Sequence, residues 1–94
     1  KFYMHNTGHW MGLDVHDPLE YVCDGKPIKL KSGMIFTVEP GLYIRADKDV
    51  NKRFHNIGIR IEDDILITKN GPEVLTSRAP KEIRDIENTM NNIK

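Results

Sequence analysis

The chain has little of what usually staples a small protein together or sends it to a charged partner. Its 94 residues hold one cysteine, one tryptophan and only 7% aromatic residues. There is no net charge, 14 Lys and Arg being matched by 14 Asp and Glu. Cys23 has no second cysteine to pair with, which excludes an internal disulfide and fits a reducing compartment such as the cytoplasm. Without a basic excess, the chain is not expected to bind nucleic acid or an anionic membrane surface. The longest apolar stretches are Met34-Ile35-Phe36 and Ile65-Leu66-Ile67. They fall far short of the roughly 20 apolar residues that a membrane-spanning helix needs. Apolar residues make up 38% and charged residues 30%. At this length one compact domain with a modest core is expected. The start at Lys1 rather than Met suggests a piece of something longer.

What is present reads as several strands and one helix. Lys1 to His5 is β-prone and is broken by Asn6-Thr7-Gly8. Leu13 to His16 alternates like a short strand, stopped by Asp17-Pro18. Leu19 to Leu30 has no period and reads as a loop. Met34 to Glu39 is β-branched and aromatic; Pro40-Gly41 interrupts it, and Leu42-Tyr43-Ile44 resumes extended structure. Ala46 to Asn56 is a polar excursion. Ile57, Ile59 and Ile61 alternate, and a phase shift at Glu62-Asp63-Asp64 predicts a bulge or bend before Ile65-Leu66-Ile67. Asn70-Gly71-Pro72 is a turn. Pro80 can open a helix that places Ile83, Ile86, Met90 and Ile93 on one face.

Three histidines lie close together, His5, His9 and His16. The intervening Asn6-Thr7-Gly8 and Gly12 argue against a helix, so they either ring a loop-and-strand pocket or cluster without function. His55, in the polar excursion, is read as chemically inert. Glu39 ends an apolar strand and Glu62 interrupts another. A carboxylate on a buried strand is costly unless it is paired or metal-bound, while on the solvent face of a half-exposed sheet it needs no partner. Alternation allows the solvent-facing arrangement, because Thr37 shares a face with Glu39, and Arg60 with Glu62. Carboxylates with imidazole make a hard site suited to Mn²⁺, with Zn²⁺ or Co²⁺ also compatible. Neither a His-Glu-x-x-His pattern nor paired cysteines occurs. Arg60 can orient Glu62 or form a plain cross-strand ion pair. Trp10 suits the core, and Tyr43 suits either the core or a pocket wall.

Three strings occur in order: Met4-His5-x-x-x-His9-Trp10-x-Gly12-Leu13-Asp14-Val15-His16-Asp17, then Gly33-Met34-x-x-Thr37-Val38-Glu39-Pro40-Gly41-Leu42-Tyr43-Ile44, then Gly58-Ile59-Arg60-Ile61-Glu62-Asp63-Asp64. Over nearly the whole chain the sequence resembles the C-terminal part of the aminopeptidase P (Xaa-Pro aminopeptidase) group of the pita-bread metallopeptidase family. The resemblance implies an α+β fold over residues 1–94. This would be a curved, mainly antiparallel sheet with a C-terminal helix, forming part of a catalytic domain that has an N-terminal domain and a first half elsewhere. It also implies a dinuclear site for divalent metal, usually manganese, that removes the first residue from peptides with proline second. In that pattern His9, Glu39 and Glu62 match metal ligands, with Glu39 also the proton shuttle and Glu62 the bridging carboxylate. His16 matches a histidine that contacts substrate and steadies the tetrahedral intermediate. His5 matches a further active-site histidine, Arg60 a positioning residue and Tyr43 a pocket-wall residue. The two aspartate ligands of the pattern match nothing here.

The chain by itself is therefore expected to be inactive, and to self-associate or exchange strands as a homo-oligomer, while the parent would be a cytoplasmic enzyme with a peptide substrate. Prolidase, which cuts X-Pro dipeptides only, and a non-catalytic pita-bread binding module are the competing readings.

Overall fold

The computed structural model describes residues 1–93. In chain order the elements are β1 (Val22–Cys23), β2 (Lys26–Pro27), β3 (Ile35–Val38), β4 (Gly41–Ile44), β5 (Ile57–Arg60), β6 (Asp63–Thr68), β7 (Gly71–Val74) and α1 (Ile83–Asn91). One turn of 3-10 helix, Lys52–Phe54, lies between β4 and β5. The β-branched and aromatic run Ile35-Phe36-Thr37-Val38 forms β3 as its composition predicts.

β3 pairs antiparallel with β6, and β4 with β5. Both ladders keep one register: Val38 faces Asp63 and Gly41 faces Arg60. Counting through the gap places Glu39 opposite Glu62 and Pro40 opposite Ile61. The two ladders are thus one long antiparallel ribbon, interrupted where Pro40 has no N–H to donate. The Pro40 carbonyl still accepts the Ile61 N–H at 3.2 Å. The bulge or bend expected at Glu62-Asp63-Asp64 is corrected: the register carries through without an extra residue, Asp63 and Asp64 pair regularly in β6, and the interruption lies at Ile61-Glu62. β7 continues the sheet on the far side of β6.

The free edge of β3 is covered by residues 7–11, which run antiparallel to it. Thr37 N–H donates to the His9 carbonyl (2.9 Å), Glu39 N–H to Thr7 (2.6 Å) and Met11 N–H to Ile35 (3.1 Å). Gly8 allows this approach, since a Cβ there would run into the Thr37 carbonyl. Farther along the ribbon, Tyr43 N–H donates to the Phe2 carbonyl at 2.9 Å, so the N-terminal stretch lies beside β4.

Several local expectations are corrected. Lys1 to His5 forms no regular strand, and neither does Leu13 to His16, where Gly12 N–H turns back to the Asp14 carbonyl and no partner strand is at hand. The segment read as a loop contains the hairpin β1–β2. Its turn is Asp24-Gly25, both at positive φ (51° and 72°), the conformation that a two-residue hairpin turn favours. Gly71 and Pro72 belong to β7, the turn being Lys69-Asn70. The helix starts at Ile83 after Glu82, not at Pro80, and ends before Ile93. Its apolar residues Ile83 and Met90 are exposed.

Trp10 is the one buried apolar residue among those described. Its ring stacks on Tyr21 (centroids 5.7 Å apart) and meets Phe36 edge-on (5.9 Å). The indole N–H donates to the Glu20 carbonyl at 3.1 Å. The core-filling expectation for Trp10 holds, and the core is as modest as the length suggests. His55 is structural: its Nε2 lies 3.0 Å from the carbonyls of both Asp47 and Val50 and ties down the excursion. At the other end, Asp63 accepts the Thr76 hydroxyl (2.6 Å) and the Lys81 ammonium (2.9 Å), clipping the chain before α1 to the sheet. The Thr76 hydroxyl, and then Lys81, hold the Asp63 carboxyl below the usual carboxylate range.

Candidate metal centre

Residues opposite each other in an antiparallel sheet point to the same side, and residues two apart on a strand share a face. His9 lies opposite Thr37, Thr37 is two before Glu39, and Glu39 lies opposite Glu62. All four side chains therefore belong to one face, at the point where the ribbon is interrupted. One ligand atom from each of His9, Glu39 and Glu62 comes within 4.8 Å of the others. Glu39 is only 7% exposed, so the solvent-facing alternative fails for it. Glu62 is exposed, as that alternative has it.

Hydrogen bonding sets the donors up for a cation. His9 Nδ1 lies 3.0 Å from the Trp10 carbonyl, which can only accept, so the proton of the neutral ring sits on Nδ1. That leaves the Nε2 lone pair facing Glu39 Oε1 at 3.1 Å. Two acceptors this close are reconciled by a positive ion between them, a proton or a metal. The opposed Glu39 and Glu62 pose the same demand, because like charges directly across a sheet repel. A backbone carbonyl orienting a histidine in this way is a recurrent feature of metal sites. The three residues fit a divalent cation.

A second line of bonds runs to Glu39 from the N-terminal segment. His5 Nδ1 is 2.7 Å from the Asn6 carbonyl, so in the neutral ring Nε2 is the acceptor, and the Tyr43 hydroxyl donates a hydrogen bond to it at 2.7 Å. Tyr43 in turn accepts Arg60 Nε–H at 2.9 Å, and Arg60 Nη1 stands 3.5 Å from Glu39 Oε2. Arg60 thus reaches across the ribbon to Glu39, the ion-pair alternative, and not to Glu62 on its own strand. Gly41, buried beneath this group, is needed for space: a Cβ there would come within 2.8 Å of His5 Nε2. The exposed His16 sets its ring edge-on to His9, with centroids 4.5 Å apart.

The structure therefore joins His5, His9, Glu39, Tyr43, Arg60 and Glu62 in one group, with His16 against it. It adds a residue that had no role in the sequence reading. Thr37, 2% exposed, accepts the His9 backbone N–H at 3.0 Å and donates to Glu39 Oε1 at 2.9 Å. The available signal was its place on the face of Glu39.

A histidine and two carboxylates converging from three extended segments laid side by side form a group that could hold a divalent metal ion, the kind of donor set metallopeptidases use. Residues 1–69 match the sequence model of metallopeptidase family M24, and the chain belongs to that family. It is 55% identical over 91 residues to the Xaa-Pro aminopeptidase of Haemophilus influenzae, covering 97% of this chain and 21% of that protein. The Pseudomonas aeruginosa aminopeptidase PepP superposes with a TM-score of 0.89 at 52% identity, over 96% of this chain and 21% of that one. Escherichia coli aminopeptidase P, solved with the inhibitor Pro-Leu, gives 0.84 at 51% identity, over 96% and 20%. The chain thus spans about a fifth of the length of these relatives. Its fold is a part of the pita-bread fold, as the motifs lead one to expect.

Proposed function

We propose that the chain forms part of the catalytic domain of an enzyme that releases the first residue from peptides with proline in second position. The supporting observation is the convergence of His9, Glu39 and Glu62 within 4.8 Å, with the histidine tautomer already fixed. In this reading His9 Nε2 and the Glu39 and Glu62 carboxylates would hold the divalent metal of a dinuclear site, and so carboxylate-rich a donor set suits manganese, with zinc or cobalt also compatible. When bound, the metal supplies Lewis acidity, lowering the pKa of water and polarising the scissile carbonyl.

The protein side chains do the rest. Glu39 takes a proton from the attacking water at its carboxylate and passes it to the departing nitrogen. Arg60, 3.5 Å from Glu39 Oε2, keeps that carboxylate aimed. His16 approaches the same point from the open side and donates an N–H toward the charge that develops on the substrate carbonyl oxygen. His5 and Tyr43, fixed to each other at 2.7 Å, form the wall against which the peptide lies.

The test is hydrolysis by the full-length protein of a tripeptide with proline second, after chelation and after adding back Mn²⁺, Zn²⁺ or Co²⁺. Manganese-dependent release of the first residue, abolished by Glu39→Ala, is expected. No metal-dependent release sinks the reading, and cleavage of the X-Pro dipeptide alone makes the enzyme a prolidase.

A further inference from the structure

We infer that Thr37 is a positioning residue of the metal centre, acting through both His9 and Glu39; this rests on the metal-site reading above. Its side chain is almost wholly buried, and its hydroxyl makes two bonds whose directions are not interchangeable. The His9 backbone N–H can only donate, so Thr37 Oγ1 accepts there, at 3.0 Å. The one hydroxyl proton is then committed to Glu39 Oε1, at 2.9 Å. The sequence His9 N–H to Thr37 O–H to Glu39 Oε1 is a directed chain, each bond polarising the next.

The consequence is geometric. One oxygen atom sets the distance between the strand that carries His9 and the carboxylate that faces the His9 ring. It also fixes the rotation of that carboxylate, because Oε1 is held by Thr37 while Oε2 is left toward Arg60 at 3.5 Å. The backbone pairing of His9 with Thr37 does part of this by itself, since Thr37 N–H already donates to the His9 carbonyl at 2.9 Å. The hydroxyl adds what the backbone cannot, control of a side chain two residues away. A valine of the same shape would keep the packing and the strand pairing. It would also leave the His9 N–H without its acceptor and Glu39 free to turn.

Outer groups that orient ligands in this way typically change metal affinity by about 10–100-fold when removed. The experiment is a Mn²⁺ titration of the full-length protein, reading free Mn²⁺ by electron paramagnetic resonance, for wild type, Thr37→Val, Thr37→Ser and Thr37→Ala. Thermal unfolding of the chelated forms is followed alongside. Thr37→Val is expected to bind at least tenfold more weakly, with Thr37→Ser within threefold of wild type. The pair Ser and Ala, which differ by the hydroxyl alone, should show the same split should the valine variant fold poorly. Equal affinity of wild type and the valine or alanine variant overturns the role of Thr37 while leaving the metal site intact. A serine variant as weak as alanine overturns it too, because the methyl and not the hydroxyl is then the agent. Wild type that binds no Mn²⁺ overturns the metal-site reading itself.

Discussion

Glu62 is the most exposed of the three converging side chains and stands directly across the ribbon from Glu39. Without a cation, the pair repels by up to about 1 kcal/mol. Glu39 has Thr37, Arg60 and His9 around it, whereas Glu62 has no such set of partners among the described residues, so the repulsion is best relieved at Glu62. Glu62→Gln in the full-length protein is therefore expected to melt higher than wild type under chelation and lower once Mn²⁺ is added. At a hundredfold excess over its dissociation constant, an ion that binds only the folded state stabilises by about 2.7 kcal/mol, and the variant forgoes most of this. Differential scanning fluorimetry with and without chelator reads both arms, and a chelated variant no more stable than wild type counts against the opposed-carboxylate account. In the sequence, both glutamates are visible as carboxylates interrupting apolar strands, and the motif strings assign them. What spacing alone does not reveal is which side of the sheet is covered. Thr37 and Glu39 share a face on any reading, but their burial depends on residues 7–11 lying along β3.

At the scale of elements, that covering segment depends on Gly8. A methyl group there would run into the Thr37 carbonyl, which is backbone and cannot rotate away. Gly8→Ala is expected to push residues 7–11 off the β3 edge and cost about 1–3 kcal/mol. It should also free the Thr37 and Glu39 amides to exchange, which hydrogen-exchange mass spectrometry would register; unchanged protection there would refute it. The clip at Asp63 makes a second element-level prediction. Its carboxyl is held below the ordinary 3.8 by the Thr76 hydroxyl and Lys81. A depressed carboxylate pKa contributes stability that is complete above the unfolded value and is lost as pH falls through the folded one. Protection of the segment from Thr76 into α1 should thus be constant above about pH 5 and fall progressively below it, and Lys81→Met should shift that fall upward. The elements legible in the sequence were those with a strong period: β3, β4 and the long broken strand of β5 and β6, each with a partner nearby, and α1, whose period shows although its apolar residues Ile83 and Met90 are exposed. Leu13 to His16 has the alternation of a strand but no edge to pair with. β1 and β2 have the reverse, an Asp-Gly turn that makes a hairpin from residues with no period at all.

At the scale of the molecule, the surface is larger than the chain length warrants. A compact protein of 10.9 kDa exposes about 5,600 Å², whereas this chain exposes 8117 Å². Its radius of gyration is 17.1 Å against about 12 Å for a compact domain of this length. The excess is in part apolar: Leu13, Ile59, Leu42, Ile83 and Met90 are all more than half exposed. Open hollows flank Trp10 on both sides, one of about 290 Å³ lined by Tyr21, Ile28, Leu30 and Phe36. Among the described residues, β5 and β7 each leave one edge unpaired, and Ile57 and Ile59 stand along the first of these strands. Unpaired edges and contiguous apolar surface drive association in water. The 94-residue chain on its own is accordingly expected to self-associate in the micromolar range, by strand exchange or edge pairing. With only three candidate donors converging and no further carboxylate in that cluster among the described residues, it should also release no residue from an X-Pro peptide. Sedimentation velocity over a hundredfold range of concentration reads the first outcome and a peptide assay the second. A single slow-sedimenting, concentration-independent species would mean that the exposed strands are satisfied within one copy. Introducing a lysine on the β5 edge, Ile59→Lys, should shift the distribution toward monomer by making edge pairing unfavourable. An association that survives this change would place the contact on the apolar hollows beside Trp10 instead of the open strand.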